Sequence, residues 1–303
     1  MIVTESAAFR AAFDRTRFPP RGAATARGAF LVAPAAAALA AESASDNRYM
    51  DLAQAVDAAR MAAQHAGLAR RLGADLPLVT FPGDPDCPDG LFPNNVFATR
   101  PGALIVGRMR HAVRRREAAR ADIRGFFRDV LGYREIDLSQ GRFVAELTGS
   151  LVIDRARGIG YCGLSERCDL AGAQAMHAAF GLRLTFAFAL APSEYHTNVV
   201  FALAAGRLPI LAPDGFADAG VADAIAAAYG GAVVLDPAQK CAFAANAIAL
   251  APDRIWMSAR AADALDAAQL VQLQHAGFRV GAAALDEIEK AGGSLRCCVA
   301  EIY

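Results

Sequence analysis

One plan recurs along this chain at intervals of about 50 residues, a period typical of propellers and other repeat architectures. A polar residue opens a short apolar strand, a turn follows, and a second apolar strand returns. The full copies are NVFATRPGALIVG from Asn95, SLVIDRARGIGYC from Ser150, NVVFALAAGRLPILA from Asn198 and NAIALAPDRIWMSA from Asn246. A further copy, CCVAEIY from Cys297, stops after one strand. RPGA, RARG, AAGR and APDR supply the Gly, Pro and Asp that hairpin turns need.

Segments of helical character separate the hairpins: RRREAARADIRGFFRDVLG, SERCDLAGAQAMHAAFG, DAGVADAIAAAYGG and SARAADALDAAQLVQLQHAGF. The first two end on Gly, as helix C-termini often do. Further strands follow in GYREIDL, LRLTFAFAL and AVVLD. Each unit therefore reads as strand, strand, helix, strand. The expected fold is α/β, a five-unit pseudo-symmetric propeller whose last unit is completed by the N-terminal strand GAFLVAP. An open α/β sheet is the competing architecture, because it alternates strands and helices too.

The chain is 55% hydrophobic and 20% charged, so it holds enough apolar material for a sizeable core. Its 31 basic and 31 acidic residues cancel, which argues against a chain-wide grip on nucleic acid or an anionic membrane. No apolar run reaches the roughly 18 residues of a spanning helix. Six cysteines, at 87, 162, 168, 241, 297 and 298, form no CxxC pair and no metal-ligand spacing, so a reducing cytoplasm is the expected compartment. The N-terminus faintly resembles a transit peptide, but it contains Glu5 and Asp14 and has no clean amphipathic run. A phosphate loop of the GxxxxGK[ST] kind is absent.

Two charged stretches read as structural. RMRHAVRRR, residues 108–116, lacks the aromatic interleaving of single-strand binders and reads as a solvated helix face. GDPDCPDG, with Asp84, Asp86 and Asp89, lacks the later Glu of an EF-hand and reads as a turn leading toward the site.

The repeat starts carry the chemistry. FPNNVF brings Asn94 and Asn95, FVAELTGS brings Glu146, EYHTN brings His196 and Asn198, and LRCC brings Cys297 behind Arg296. A thiol, an imidazole and a carboxylate, each at a strand's beginning, make the set that nucleophilic catalysis requires. Each also has an ordinary structural role. Cys297 reads as a packed thiol, His196 as a satisfied polar group, Glu146 as a rim acid, and the Asn residues as turn caps. Their shared register is what joins them.

In this order the segments resemble the guanidino-group-modifying superfamily of arginine deiminases, dimethylarginine dimethylaminohydrolases and amidinotransferases, whose fold is the five-unit α/β propeller, or pentein. FPNNVF falls where that family has a strand bearing a guanidinium-binding Asp. ELTGS resembles its Glu-Gly-Gly-Asp segment, YHTN its His-x-Asp segment, and GGSLRC its C-terminal nucleophile segment. GRMRHAVRRRE resembles the run after the first of these, and the likeness extends from about residue 80 to the C-terminus. It implies one catalytic domain over residues 1–303, with Cys297 as nucleophile, His196 as general acid and base, and Glu146 as the acidic partner of His196. It implies hydrolysis without metal or organic cofactor. Cys298 is expected on the opposite face, because strand side chains alternate.

The departures bear on substrate. Asn95 and Asn198 stand where arginine-processing enzymes have Asp. Paired carboxylates suit a guanidinium, whereas amides offer donor and acceptor without charge and suit a neutral ureido group. The set is most similar to the citrulline hydrolases, the arginine-deiminase-related subgroup, although Val96 stands where that subgroup commonly has Trp. Succinylarginine dihydrolases also use an amide at a comparable place, so Asn does not exclude a guanidine.

The resemblance implies attack by Cys297 on the ureido carbon, with the thiol pKa depressed in an electropositive pocket that includes Arg296. Asn95, Asn198, Asn94 and Arg296 are the expected substrate-binding residues, with Arg100, Arg108 and Arg167 as candidates for a substrate carboxylate. From citrulline the products are ornithine, ammonia and carbon dioxide. The alternatives are arginine deiminase, dimethylarginine dimethylaminohydrolase or amidinotransferase activity, or a non-catalytic binding protein of the same fold. A small amino-acid substrate is the expected partner, nucleic acid and membrane are not, and a homo-oligomer stays open.

Overall fold

The computed structural model describes residues 1–35 and 39–303. Its strands form five small sheets that repeat one internal order. Phe97–Arg100 runs antiparallel to Ala103–Val106, which runs parallel to Arg134–Asp137. The same pattern joins Leu151–Asp154, Ile159–Leu164 and Leu184–Ala189. It recurs in Phe201–Ala204, Leu208–Leu211 and Val233–Val234, and again in Ile248–Ala251, Arg254–Ser258 and Arg279–Ala283. In the remaining sheet Ala300–Ile302 pairs antiparallel with Gly28–Val32, which pairs parallel with Leu78–Phe81. The C-terminal strand is thus completed by the N-terminal GAFLV segment.

Local sequence explains the pattern. The hairpin joining Phe201–Ala204 to Leu208–Leu211 turns through Ala205 (φ 46°) and Gly206 (φ 65°), the paired left-handed conformation of a tight turn. The middle strands Gly28–Val32 and Ala103–Val106 are buried along their whole length, because layers cover both faces. Helix Ala58–Leu72 presents Met61, His65, Leu68 and Leu72 to the core at helical spacing, and the Asp57 side chain caps it by accepting from the Arg60 N–H.

Two expected long helices are broken. The stretch after the first hairpin folds as Ala112–Arg115, Glu117–Ala119 and Ala121–Gly125, followed by a π-helical turn at Phe126–Val130. Arg114 causes part of this, since its guanidinium turns inward to Glu117 and to the Asp89 and Phe92 carbonyls. The second break lies at Leu265, where Asp266 starts a new helix with a capping box.

The N-terminal residues belong to the packing. Ile2 and Val3 pair with Thr185 and Phe186, and the Phe9 ring stacks on Phe186 at 4.7 Å. Among the described residues no helix is long and apolar enough to cross a membrane.

The polar residues that open the repeats do not sit on the strands themselves. Each lies in a turn just before one. The N–H of Val96 donates to the Pro93 carbonyl, Gly149 to Glu146, Val199 to His196, Asn246 to Phe243, and Cys297 to Ser294. Five units thus share one i→i+3 turn, and that turn presents the side chains of the site.

Candidate active site

The turns bring together side chains that are far apart in sequence. His196 Nε2 stands 2.8 Å from Glu146 Oε2, and Arg167 Nη1 donates to the same oxygen at 3.2 Å. Burial alone would raise the Glu146 carboxyl. The Arg167 charge and the hydrogen bond and charge of His196 outweigh it and hold the group ionised, below the usual carboxylate range. Because an ionised carboxylate only accepts, Nε2 of His196 carries the proton between them.

Burial pushes His196 below its ordinary value, against the pull of Glu146, so the ring rests neutral. Its Nδ1 is then an open acceptor, and it has no hydrogen-bond partner among the described residues. Asn95 Oδ1 is buried and likewise has no partner among the described residues. Both groups converge on Gly149. A Cβ there would collide with Asn95 Oδ1 and stand 2.7 Å from Cε1 and 2.9 Å from Nδ1 of His196. Buried polar atoms without partners are uncommon in folded proteins, and these two meet at one glycine.

Cys297 is 1% exposed, and amides face its sulfur. Asn246 Nδ2 lies 3.3 Å from Sγ, Asn198 Nδ2 at 3.7 Å and Asn198 Oδ1 at 3.9 Å. Burial pushes the thiol up, against the lowering effects of the Asn246 hydrogen bond, the Ser294 backbone, Arg296 and Asn198. The expected depression of this thiol is therefore not found, because desolvation outweighs the surrounding donors. Cys298 is packed in the apolar core and pushed up further by burial.

A small cavity adjoins the sulfur, lined by Cys297, Asn95, Asp89, Arg114, Arg167 and Tyr195 among others. The Tyr195 ring packs on His196 at 4.5 Å. Arg167 also forms an ion pair with Asp46, with Nε donating at 2.9 Å. Arg114 Nε and Nη2 reach the two Glu117 oxygens at 2.8 Å each. The basic run is therefore not a uniformly solvated face, since Arg114 is 3% exposed.

Other expected residues lie elsewhere. Arg296 lines a different hollow with Asn198 and Tyr303, and its guanidinium donates to the Val299 carbonyl and to Glu301. Its guanidinium is thus directed to Val299 and Glu301, and Arg296 is not in the lining of the cavity beside Cys297. Arg100 and Arg108 line separate surface hollows, and of the three Arg candidates only Arg167 meets the cavity beside Cys297. Asn94 is fully buried with both amide atoms unpartnered among the described residues. Val96 packs in a core cluster rather than lining the cavity. Asn246, Asp89 and Arg114 were not among the expected site residues. Asn246 had a visible signal, since it opens a repeat in the register of Asn95 and Asn198.

No curated protein matches the chain in sequence. Solved structures do match in shape. The substrate-bound N-terminal domain of ArgZ, an arginine dihydrolase from the ornithine-ammonia cycle in cyanobacteria, superposes with a TM-score of 0.78 at 19% identity, covering 91% of this chain and 97% of that one. Unliganded AgrE gives 0.79 at 18% identity over 92% of this chain and 40% of its own. A dimethylarginine dimethylaminohydrolase adduct with S-methyl-L-thiocitrulline gives 0.71 at 18% identity, covering 92% and 100%. At these identities the likeness establishes a shared α/β fold. The sequence model described as N,N dimethylarginine dimethylhydrolase, eukaryotic, matches residues 33–303. The chain belongs to that family, and with it to the guanidino-group-modifying pentein superfamily.

Proposed function

We propose that residues 1–303 form one catalytic domain, a five-unit propeller, that hydrolyses the ureido or guanidino end of an arginine-like amino acid. Citrulline is the leading substrate. Cys297 is the nucleophile, His196 the general acid and base, and Glu146 the group that orients and charges the imidazole. The observation that carries this reading is the convergence of unpartnered Asn95 Oδ1 and His196 Nδ1 in a site where amides surround the Cys297 sulfur.

Cys297 rests as a thiol, so attack requires a base. His196 Nδ1, neutral and open, takes the thiol proton as Sγ adds to the ureido carbon. The imidazolium, held by the Glu146 carboxylate, passes that proton to the departing amine nitrogen as the C–N bond breaks. A thiocarbamate remains on sulfur. Water then gives a proton to His196 while its oxygen adds to the thiocarbamate carbon. The C–S bond breaks and the sulfur recovers its proton. The carbamic acid released then breaks its remaining C–N bond to give ammonia and carbon dioxide, so citrulline and water give ornithine, carbon dioxide and ammonia. Asn95 and Asn198 hold the neutral ureido group through matched donors and acceptors. Arg167 and Arg114 supply positive charge for an α-carboxylate. A covalent reaction intermediate is known in ArgZ, which supports the two-step course.

A second reading takes arginine or a derivative as substrate. Asp89 favours it, since this buried acid lines the same cavity and a carboxylate suits a cationic guanidinium. The test is amino-acid analysis after parallel incubation with citrulline, arginine and methylated arginines. Ornithine from citrulline alone supports the leading reading. Citrulline or ornithine from arginine, or citrulline from a methylated arginine, supports the second. No product from any of them leaves a binding protein and overturns both.

A further inference from the structure

The fourth repeat contributes a residue to which no role has been given above. Asn246 is fully buried, and both atoms of its amide have partners. Nδ2 donates to the Asn198 carbonyl at 2.9 Å and to Cys297 Sγ at 3.3 Å, while Oδ1, at 3.4 Å, shares the Cys297 N–H with the Ser294 carbonyl at 3.0 Å. Exchanging the amide's oxygen and nitrogen would set an acceptor against the Asn198 carbonyl and a donor against the Cys297 N–H. The neighbours therefore fix the amide's orientation.

Asn198 is different. It offers Sγ both a donor at 3.7 Å and an acceptor at 3.9 Å, so it can serve a thiol or a thiolate. Asn246 offers only a donor. A donor gains strength when its acceptor becomes an anion.

We propose that Asn246 is a positioning residue that fixes the Cys297 turn and stabilises its thiolate over its thiol. The proposal rests on Cys297 as nucleophile and assigns the fourth unit its part in the reaction. The amide grips residue 297 at both backbone and sulfur, so the donor stays aligned as the sulfur ionises.

The test reads the sulfur rather than turnover. Iodoacetamide labelling of Cys297, followed by peptide mass mapping across pH, gives the thiolate midpoint in the wild type and in Asn246→Ala. That variant leaves unsubstituted the charged or titratable groups lining the cavity beside Cys297, namely Tyr195, Asp89, Arg114 and Arg167, with His196 packed on Tyr195 and with Arg296 and Cys298 on the Cys297 segment. The variant's midpoint is expected to move alkaline, with labelling about tenfold slower at a fixed pH below it. A folded N246A protein with an unmoved midpoint overturns the proposal.

A second measurement needs no change at Asn246. In the wild-type protein, the Asn246 side-chain amide resonances should titrate with the Cys297 labelling midpoint, and Cys297→Ser should abolish that titration. Amide resonances that ignore this midpoint also overturn the proposal. Retained turnover in C297S would instead remove the nucleophile assignment and leave the labelling result standing.

Discussion

Nε2 of His196 and Oε2 of Glu146 lie 2.8 Å apart, and neither side chain is exposed to solvent. This pair couples folding to pH. An unfolded His takes up a proton near pH 6.5, whereas burial holds the folded His196 below that value. The stability gained from a neutral His196 is therefore complete above about pH 6.5 and is lost as pH falls from there toward its folded value. Glu146 acts in the same direction over a lower window. Its folded carboxyl stays ionised below the usual range, so its contribution declines only below about pH 4.3. Thermal melts across pH should show both declines. His196→Gln should shrink the first decline, leaving the part due to His65 and His177, which burial also lowers.

Gly149 leaves the space into which Asn95 and His196 project. In Gly149→Ala the added methyl group meets the Asn95 oxygen and the imidazole, so one of them must move. The expected cost in stability is about 1–3 kcal/mol, the range of an overpacked interior. Activity should fall by about 100-fold or more, since a displacement near 1 Å disrupts attack geometry. Steady-state kinetics alongside a denaturant titration separates the two effects.

Asn95→Asp places an acid where a neutral amide would meet the ureido group. The variant should lose kcat/KM for citrulline and gain relative preference for arginine, with the ratio changing by about tenfold or more. Parallel kinetics on the two substrates checks this. An unchanged ratio would remove Asn95 from substrate discrimination.

The hairpins were legible because each combines an apolar run with a turn whose Gly, Pro or Asp suits it. The partner of the C-terminal strand was legible because only GAFLV was left to supply it, and Ala300 pairs with Phe30. The register of Asn95, Glu146, His196 and Cys297 was visible too, although the residues stand in turns before the strands. Other features depend on contacts that spacing does not encode. Arg167 meets Asp46 across 121 positions, and the turn that read as leading toward the site also lends its own Asp89 to the cavity. Arg114 sat in a run of like charges and gave no sign that it alone would turn inward. The direction of Arg296 was not legible from adjacency, because the turn that presents Cys297 carries the next-door guanidinium to Glu301. Desolvation of the thiol was hidden for the same reason, since burial is a property of the assembled units.

The role of the Cys297 sulfur is tested most directly by turnover in Cys297→Ser with citrulline and arginine, beside an unfolding curve. The account predicts no ornithine or citrulline above background from a variant whose fold and stability are close to the wild type. A well-folded C297S protein that turns over either substrate at the wild-type rate would contradict it.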